Sequence, residues 1–148
     1  GTHALRAHNG AMISQRHPEL ELLAFGTPGY LATEEGLAVF NEIKSGAHRS
    51  ILKRYAARAI AVNQMLNDAD LTQTYRTLKA LNAPQSEITA VRAHRGGGFA
   101  KEGVYFTGYC KVKEEFNRIL YCGKIGLNEI GIMEQYNVAF VLPNHLNI

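Results

Sequence analysis

The longest helical pattern in the chain constrains its fold most, and it covers residues 47–67. Apolar side chains recur there at intervals of three and four: Ile51, Leu52, Tyr55, Ala59, Val62, Met65 and Leu66. An α-helix turns once in about 3.6 residues, so this spacing places the apolar side chains on one face. Such an apolar face must be covered by other secondary-structure elements. The rest of the sequence shows no alternation of strand and helix patterns. We therefore predict a mainly α fold without a parallel sheet.

Shorter segments of the same periodicity predict the remaining helices. Thr33 and Asp70 each precede such a segment, where their side chains can accept an N-cap hydrogen bond. Asn9-Gly10 is a possible helix stop, residues 15–33 are predicted as loop, and the apolar run 138–142 as a short strand or an extended tail. The predicted helices are 2–14, 34–44, 71–81, 85–93, 103–122 and 128–136.

Composition limits the class of protein. With 148 residues the chain is long enough for one domain with a core, and we treat residues 1–148 as a single domain. A net charge of +3 and the lack of Trp indicate no basic, aromatic surface of the kind that binds nucleic acid. The longest apolar stretches are too short to span a membrane, and we expect no signal peptide. We expect neither a membrane nor a nucleic acid as partner.

The two cysteines, Cys110 and Cys122, indicate the compartment. They lie twelve residues apart in a predicted helix. The rise of that helix would separate them by roughly 18 Å. That distance is too long for a disulfide, so both are expected to be reduced thiols, as in the cytoplasm.

The residues that could carry chemistry lie near the start of the chain. A zinc peptidase uses three protein ligands, commonly two His and one carboxylate, and a second carboxylate as general base. His3 lies on the first predicted helix, and Glu34 and Glu35 open the second. Ordinary structural roles are the alternative, since a helical His usually packs or hydrogen-bonds and an acidic pair in a first turn usually caps. These residues alone predict no more than a soluble helical domain.

Several sequence blocks resemble the signature of one family. Residues 1–6, Gly-Thr-His-Ala-Leu-Arg, are similar to the end of its first block, His-Glu-x-Gly-Thr-His followed by x-Leu-Arg. Residues 29–38, Gly-Tyr-Leu-Ala-Thr-Glu-Glu-Gly-Leu-Ala, resemble its second block. Residues 95–108 and 123–125 resemble later stretches in the same order. The family comprises the QEGLA-motif proteins and the microtubule-associated tyrosine carboxypeptidases.

The resemblance implies a helical, zinc-peptidase-like (gluzincin-like) catalytic domain, of which this chain would be the C-terminal portion. It implies that His3 is the second zinc-binding histidine and that Glu34, rather than the adjacent Glu35, is the carboxylate ligand. The first histidine and the catalytic glutamate would precede Gly1, where the helical pattern begins without a cap. The implied cofactor is Zn²⁺, and the implied substrate is the C-terminus of a peptide or protein.

Four further residues are candidates for the substrate site. Arg6 lies one turn after the first-block histidine and could hold a substrate carboxylate or pair with one of the two glutamates. Lys101 and Tyr105 are four residues apart and could reach into one site. There Tyr105 could act as a catalytic residue that polarises the scissile carbonyl, and Lys101 or Arg95 could bind the C-terminal carboxylate. Surface, packing and ion-pair roles are the alternatives for all four.

The predicted function is thus a zinc-dependent carboxypeptidase in which the metal and an upstream glutamate activate water. The alternative is a non-catalytic regulatory or binding domain of the same family, because activity does not follow from fold. A third hypothesis is a nucleic-acid-binding helix face that would use Arg49, Lys53, Arg54 and Arg58. The isolated chain is expected to bind zinc weakly and to lack peptidase activity, because it contains only two of the presumed ligands.

Overall fold

The computed structural model of the chain describes residues 1–47, 50–95 and 99–136, and these residues form helices and turns without a strand. The mainly α prediction is therefore confirmed. The predicted strand or tail at 138–142, the glycines at 96–98 and Arg49 lie outside the described residues. The helices are α1 Thr2–Arg16, α2 Leu22–Phe25, α3 Tyr30–Lys44, α4 Ser50–Leu66, α5 Leu71–Ala80, α6 Ser86–His94, α7 Phe99–Val112, α8 Phe116–Ile119 and α9 Ile130–Gln135.

The chain divides into two compact units. The first consists of Gly1–Asn41 together with Gly108–Ile148, and the second of Glu42–Thr107. That residues 1–148 act as a single domain stays a prediction. Throughout the described part of the chain, every helix is too short or too polar to cross a membrane.

The first unit has an apolar core to which α1, α3, α8 and α9 contribute. Phe40 lies at its edge, with its ring 4.6 Å from the ring of Phe116 and 6.1 Å from that of Tyr109. The buried core residues are Ile13, Leu20, Leu23, Leu37, Val112, Phe116, Ile119, Leu120, Cys122, Ile125 and Met133.

Helix α1 does not stop at Asn9-Gly10, so that part of the sequence prediction is wrong. The helix continues to Arg16 and ends before His17, because Pro18 disfavours helical backbone in the residue that precedes it. Gly10 serves a different purpose. A Cβ at this position would lie 2.8 Å from the carbonyl carbon of Leu23 and closer still to its oxygen. The missing side chain therefore allows α1 to contact the backbone at the end of α2.

Thr33 is likewise not an N-cap, because α3 begins at Tyr30. The amide of Tyr30 donates to the carbonyl of Thr27 at 3.0 Å, which extends the helical turn upstream of the predicted start. Thr33 is buried inside the helix, and its hydroxyl oxygen accepts a hydrogen bond from the amide of Leu127 at 2.9 Å. The residue therefore joins α3 to the segment before α9.

The second unit contains α4, α5 and α6, which pack against one another. Small residues on α4 and α6 allow close approach around Leu78 in a core of Ala57, Ala61, Leu78, Ala90 and Ala93. Asp70 caps α5 as predicted. Its carboxylate accepts from the amide of Gln73 at 2.8 Å, and the Gln73 side chain accepts from the amide of Asp70 at 2.7 Å.

The predicted helix at 103–122 is two helices, α7 and α8, separated by residues 113–115. The segment between the two helices consists of three charged residues, Lys113, Glu114 and Glu115, of which the first two are exposed. A turn closes the break, since the amide of Glu115 donates to the carbonyl of Val112 at 3.1 Å. Phe116, at the start of α8, is buried in the core.

Candidate metal site

His3 and Glu34 meet in the first unit. His3 is the second residue of α1 and Glu34 is the fifth residue of α3, so two separate helices supply them. The Nδ1 atom of His3 lies 3.0 Å from Oε1 of Glu34. The His3 side chain is 55% exposed, whereas that of Glu34 is only 7% exposed. A buried carboxylate thus faces an imidazole that is open to solvent.

This geometry fits two ligands of one zinc ion. Zinc binds nitrogen and oxygen ligands at about 2.0–2.1 Å in a tetrahedron, so two neighbouring ligand atoms are about 3.3 Å apart. The 3.0 Å separation between His3 and Glu34 is close to that value. Among residues 1–47, 50–95 and 99–136, no group of three or more His, Cys, Asp or Glu side chains could hold a metal ion. Without a metal, the same contact is a hydrogen bond between an imidazole and a carboxylate.

Glu35 is also buried, but it follows Glu34 on the helix and therefore points about 100° away. The carboxylate of Glu34 makes the contact with His3. The predicted choice of Glu34 over Glu35 as the ligand agrees with this contact, and the ligand role itself stays a prediction.

Two glycines hold α3 at this position, and the sequence prediction did not identify them. A Cβ on Gly36 would lie 2.8 Å from the Cα of Gly108. A Cβ on Gly108 would lie 3.0 Å from the carbonyl carbon of Ala32 and closer still to its oxygen. The backbones of α3 and α7 therefore touch one turn from Glu34. The only available signal was the presence of both glycines in blocks that resemble the family.

Arg6 is completely buried and donates a hydrogen bond from Nη2 to the carbonyl of Ile125 at 2.6 Å. Burial lowers the pKa of Arg6 to about 10, while the nearby Glu34 carboxylate opposes the change. The guanidinium therefore remains charged at neutral pH. The predicted contact of Arg6 with a substrate carboxylate stays a prediction.

The carbonyl that Arg6 contacts belongs to a loop of residues 123–126. The amide of Lys124 donates to the carbonyl of Leu23 at 2.9 Å, and the amide of Thr27 donates to the carbonyl of Lys124 at 2.9 Å. The amide of Gly126 donates to the hydroxyl of Thr27 at 3.0 Å. Residues 123–125 of this loop are also among those that resemble the family. Its structural role is to join the end of α2 to α1.

The other predicted site residues belong to the second unit. The ring of Tyr105 stacks on that of Tyr55, with 5.1 Å between centroids and 15° between planes. Arg58 lies 5.5 Å from the centre of the Tyr55 ring and forms an ion pair with Glu102 at 3.2 Å. Lys101 and Arg95 are exposed. The structure thus brings His3, Glu34 and Arg6 into one unit and places Tyr105, Lys101 and Arg95 in the other.

A comparison with known families shows to which family the chain belongs. The model of a family described as microtubule-associated tyrosine carboxypeptidase matches residues 1–144. The chain belongs to this family. No curated protein and no solved structure matches it.

Membership in the microtubule-associated tyrosine carboxypeptidase family confirms the resemblance inferred from the sequence blocks. The match includes all the positions discussed above, from His3 to the 123–126 loop. It supports a carboxypeptidase-like family for the chain. Zinc as the cofactor and the roles of the individual residues stay predictions.

Proposed function

We propose that this chain is part of a zinc-dependent carboxypeptidase, with His3 and Glu34 as two of the metal ligands. The observation that carries the proposal is the 3.0 Å approach of the His3 imidazole to the buried Glu34 carboxylate. Membership in a carboxypeptidase family supports the same conclusion. The remaining ligand and the general base, which the resemblance puts before Gly1, are also part of the proposal.

Zinc bound by these ligands would polarise the scissile carbonyl and lower the pKa of a bound water. The residues of the chain would perform the other tasks. Glu34 would contribute a fixed negative charge from a buried position on α3. The roles predicted for Tyr105, as a donor to the carbonyl oxygen, and for Lys101 and Arg95, in binding the substrate carboxylate, stay predictions.

The proposed substrate is the C-terminus of a peptide or protein in the cytoplasm. The name of the family indicates removal of a C-terminal tyrosine in proteins that carry that activity. A carboxypeptidase must recognise a free carboxylate, and exposed lysine and arginine side chains are suited to that task. The alternative proposal is a non-catalytic regulatory or binding domain of the same family, and a metal measurement separates the two.

The test is the zinc content of the intact protein and of three variants, measured by elemental analysis after purification without chelators. We expect about one zinc per molecule in the wild type, and loss of most of it in His3→Ala and Glu34→Ala. Glu35→Ala is the matched control, because Glu35 is similarly buried and points about 100° away from Glu34 on the same helix; it should keep its zinc. The rate at which each variant hydrolyses a C-terminal residue should fall in proportion to its zinc content.

Other outcomes have distinct meanings. Loss of zinc in Glu35→Ala with retention in Glu34→Ala would move the ligand by one position. A wild-type protein that binds no zinc and removes no C-terminal residue would favour the non-catalytic alternative.

A further inference from the structure

The second unit has a groove on its surface between α5 and α6. Leu71 and Val91 are among the residues that line one cavity of about 360 Å³ in it. Lys79 is among those that line a second cavity of about 340 Å³. Tyr75 and Glu87 line both cavities, so the two form one continuous groove. We call it the α5–α6 groove.

Large aliphatic side chains border this groove and are open to solvent. Leu71, Ile88 and Val91 are 43%, 56% and 48% exposed. A single exposed leucine is ordinary on a protein surface, but several apolar side chains around one groove indicate an interaction surface. Covering them would remove apolar area from water, which favours association.

Two opposite charges border the groove at the same level. Lys79 of α5 and Glu87 of α6 line the same cavity. Nζ of Lys79 donates to the hydroxyl of Tyr75 at 3.2 Å and lies 5.4 Å from the centre of its ring, which keeps the ammonium group beside the groove. Leu71 and Val91 also share a level, because both line the other cavity. The two helices therefore run antiparallel along the groove.

A surface with this arrangement is complementary to itself. A two-fold axis parallel to the groove would place α5 of each copy against α6 of the other. Lys79 would then meet the partner's Glu87, and Leu71 would meet the partner's Val91. The symmetry makes each contact occur twice, so one operation matches both the charges and the apolar side chains.

We propose that the α5–α6 groove binds a second copy of this chain and forms a two-fold dimer. The inference is independent of the proposed metal site, whose residues belong to the first unit. Helices of ten and nine residues are about 15 Å long, so the face of each copy covers about 300 Å². A standard interface buries about 800 Å² per partner, so this dimer is weak and reversible.

Sedimentation equilibrium of the intact protein at low salt tests the proposal. In a concentration series up to about 1 mM, we expect a monomer–dimer equilibrium with a Kd of about 0.1–1 mM. Lys79→Glu leaves two acids beside the groove, and Glu87→Lys leaves two bases. In either variant both charge pairs of the dimer become repulsive, so dimerisation should weaken by at least about tenfold.

An equimolar mixture of the two variants tests the direction of the axis. The acids of one variant then face the bases of the other at both positions, so the mixture should form a dimer as the wild type does. Arg76→Glu is the matched control, because it reverses an exposed charge on α5 at a residue that lies outside the groove lining. It should leave the dimer unchanged.

Three results would overturn the proposal. A wild-type protein that stays monomeric over the whole series shows that a second copy is not the occupant of the groove. A dimer that persists in both single variants, or weakens as much in Arg76→Glu, uses another surface or depends only on net charge. Variants that dissociate but do not associate with each other exclude the two-fold axis along the groove.

Discussion

Replacing Gly108 with alanine would force apart the backbones of α3 and α7. The new methyl group would lie 3.0 Å from the carbonyl carbon of Ala32 and 3.1 Å from the Cα of Gly36. Nonbonded carbons normally approach to about 3.5–4.0 Å, so the helices must separate by at least about 0.5–1 Å. The atoms that the methyl group would meet belong to the backbone, so no side-chain rotation can relieve the overlap.

Two opposing effects set the size of the change in the free energy of unfolding of Gly108→Ala. Overpacking of a well-packed contact costs up to about 3 kcal/mol. Alanine in a helix is favoured over glycine by about 1 kcal/mol, which offsets part of that cost. The net loss should be about 2 kcal/mol in the free energy of unfolding, which corresponds to a fall in Tm of about 4–8 °C for a chain of this size.

Urea unfolding followed by circular dichroism measures the loss, and an unchanged m-value would show that the denatured state is unaffected. Gly131→Ala is the matched control, since it lies in helix α9 with no atom within 4 Å of the added Cβ. That variant should be more stable by about 0.5–1 kcal/mol. A Gly108→Ala protein that is as stable as Gly131→Ala would refute the close contact of the two backbones.

Two further variants or labels test local features. Asp70→Ala should lower the free energy of unfolding by about 1 kcal/mol, because it removes the capping box of α5; an unchanged urea midpoint would contradict this. Burial raises the pKa of the Cys122 thiol to about 11, so iodoacetamide at pH 9 should label exposed Cys110 in the folded protein and Cys122 only after unfolding. Equal labelling rates for the two thiols in the folded state would show that Cys122 is accessible.

Local features of the fold were predictable because they depend on neighbours in the sequence. The periodicity of residues 47–67 predicted α4, since an apolar stripe on one face is a property of the helix itself. Asp70 and Gln73 form the capping box within four residues of chain, so the start of α5 was predictable as well. The resemblance of the sequence blocks predicted the family, which the family match confirmed.

Features that involve distant contacts were predicted incorrectly or not at all. Asn9-Gly10 is a residue pair that often ends helices, yet the helix continues through it. Gly10 instead allows the helix to pack against the backbone at Leu23. Thr33 is a residue type that often caps a helix, but its hydroxyl accepts a hydrogen bond from the amide of Leu127. In both cases the deciding partner lies far along the chain, where local patterns carry no information about it.

For the candidate site, the amino-acid sequence alone determined the residue types: an imidazole on one helix and a pair of carboxylates on another. Only the tertiary structure decided that Glu34 contacts His3, and that Arg6 is buried in the same unit. The physical reason is that a helix sets the directions of its own side chains. The tertiary arrangement of α1 and α3 sets which of those directions meet.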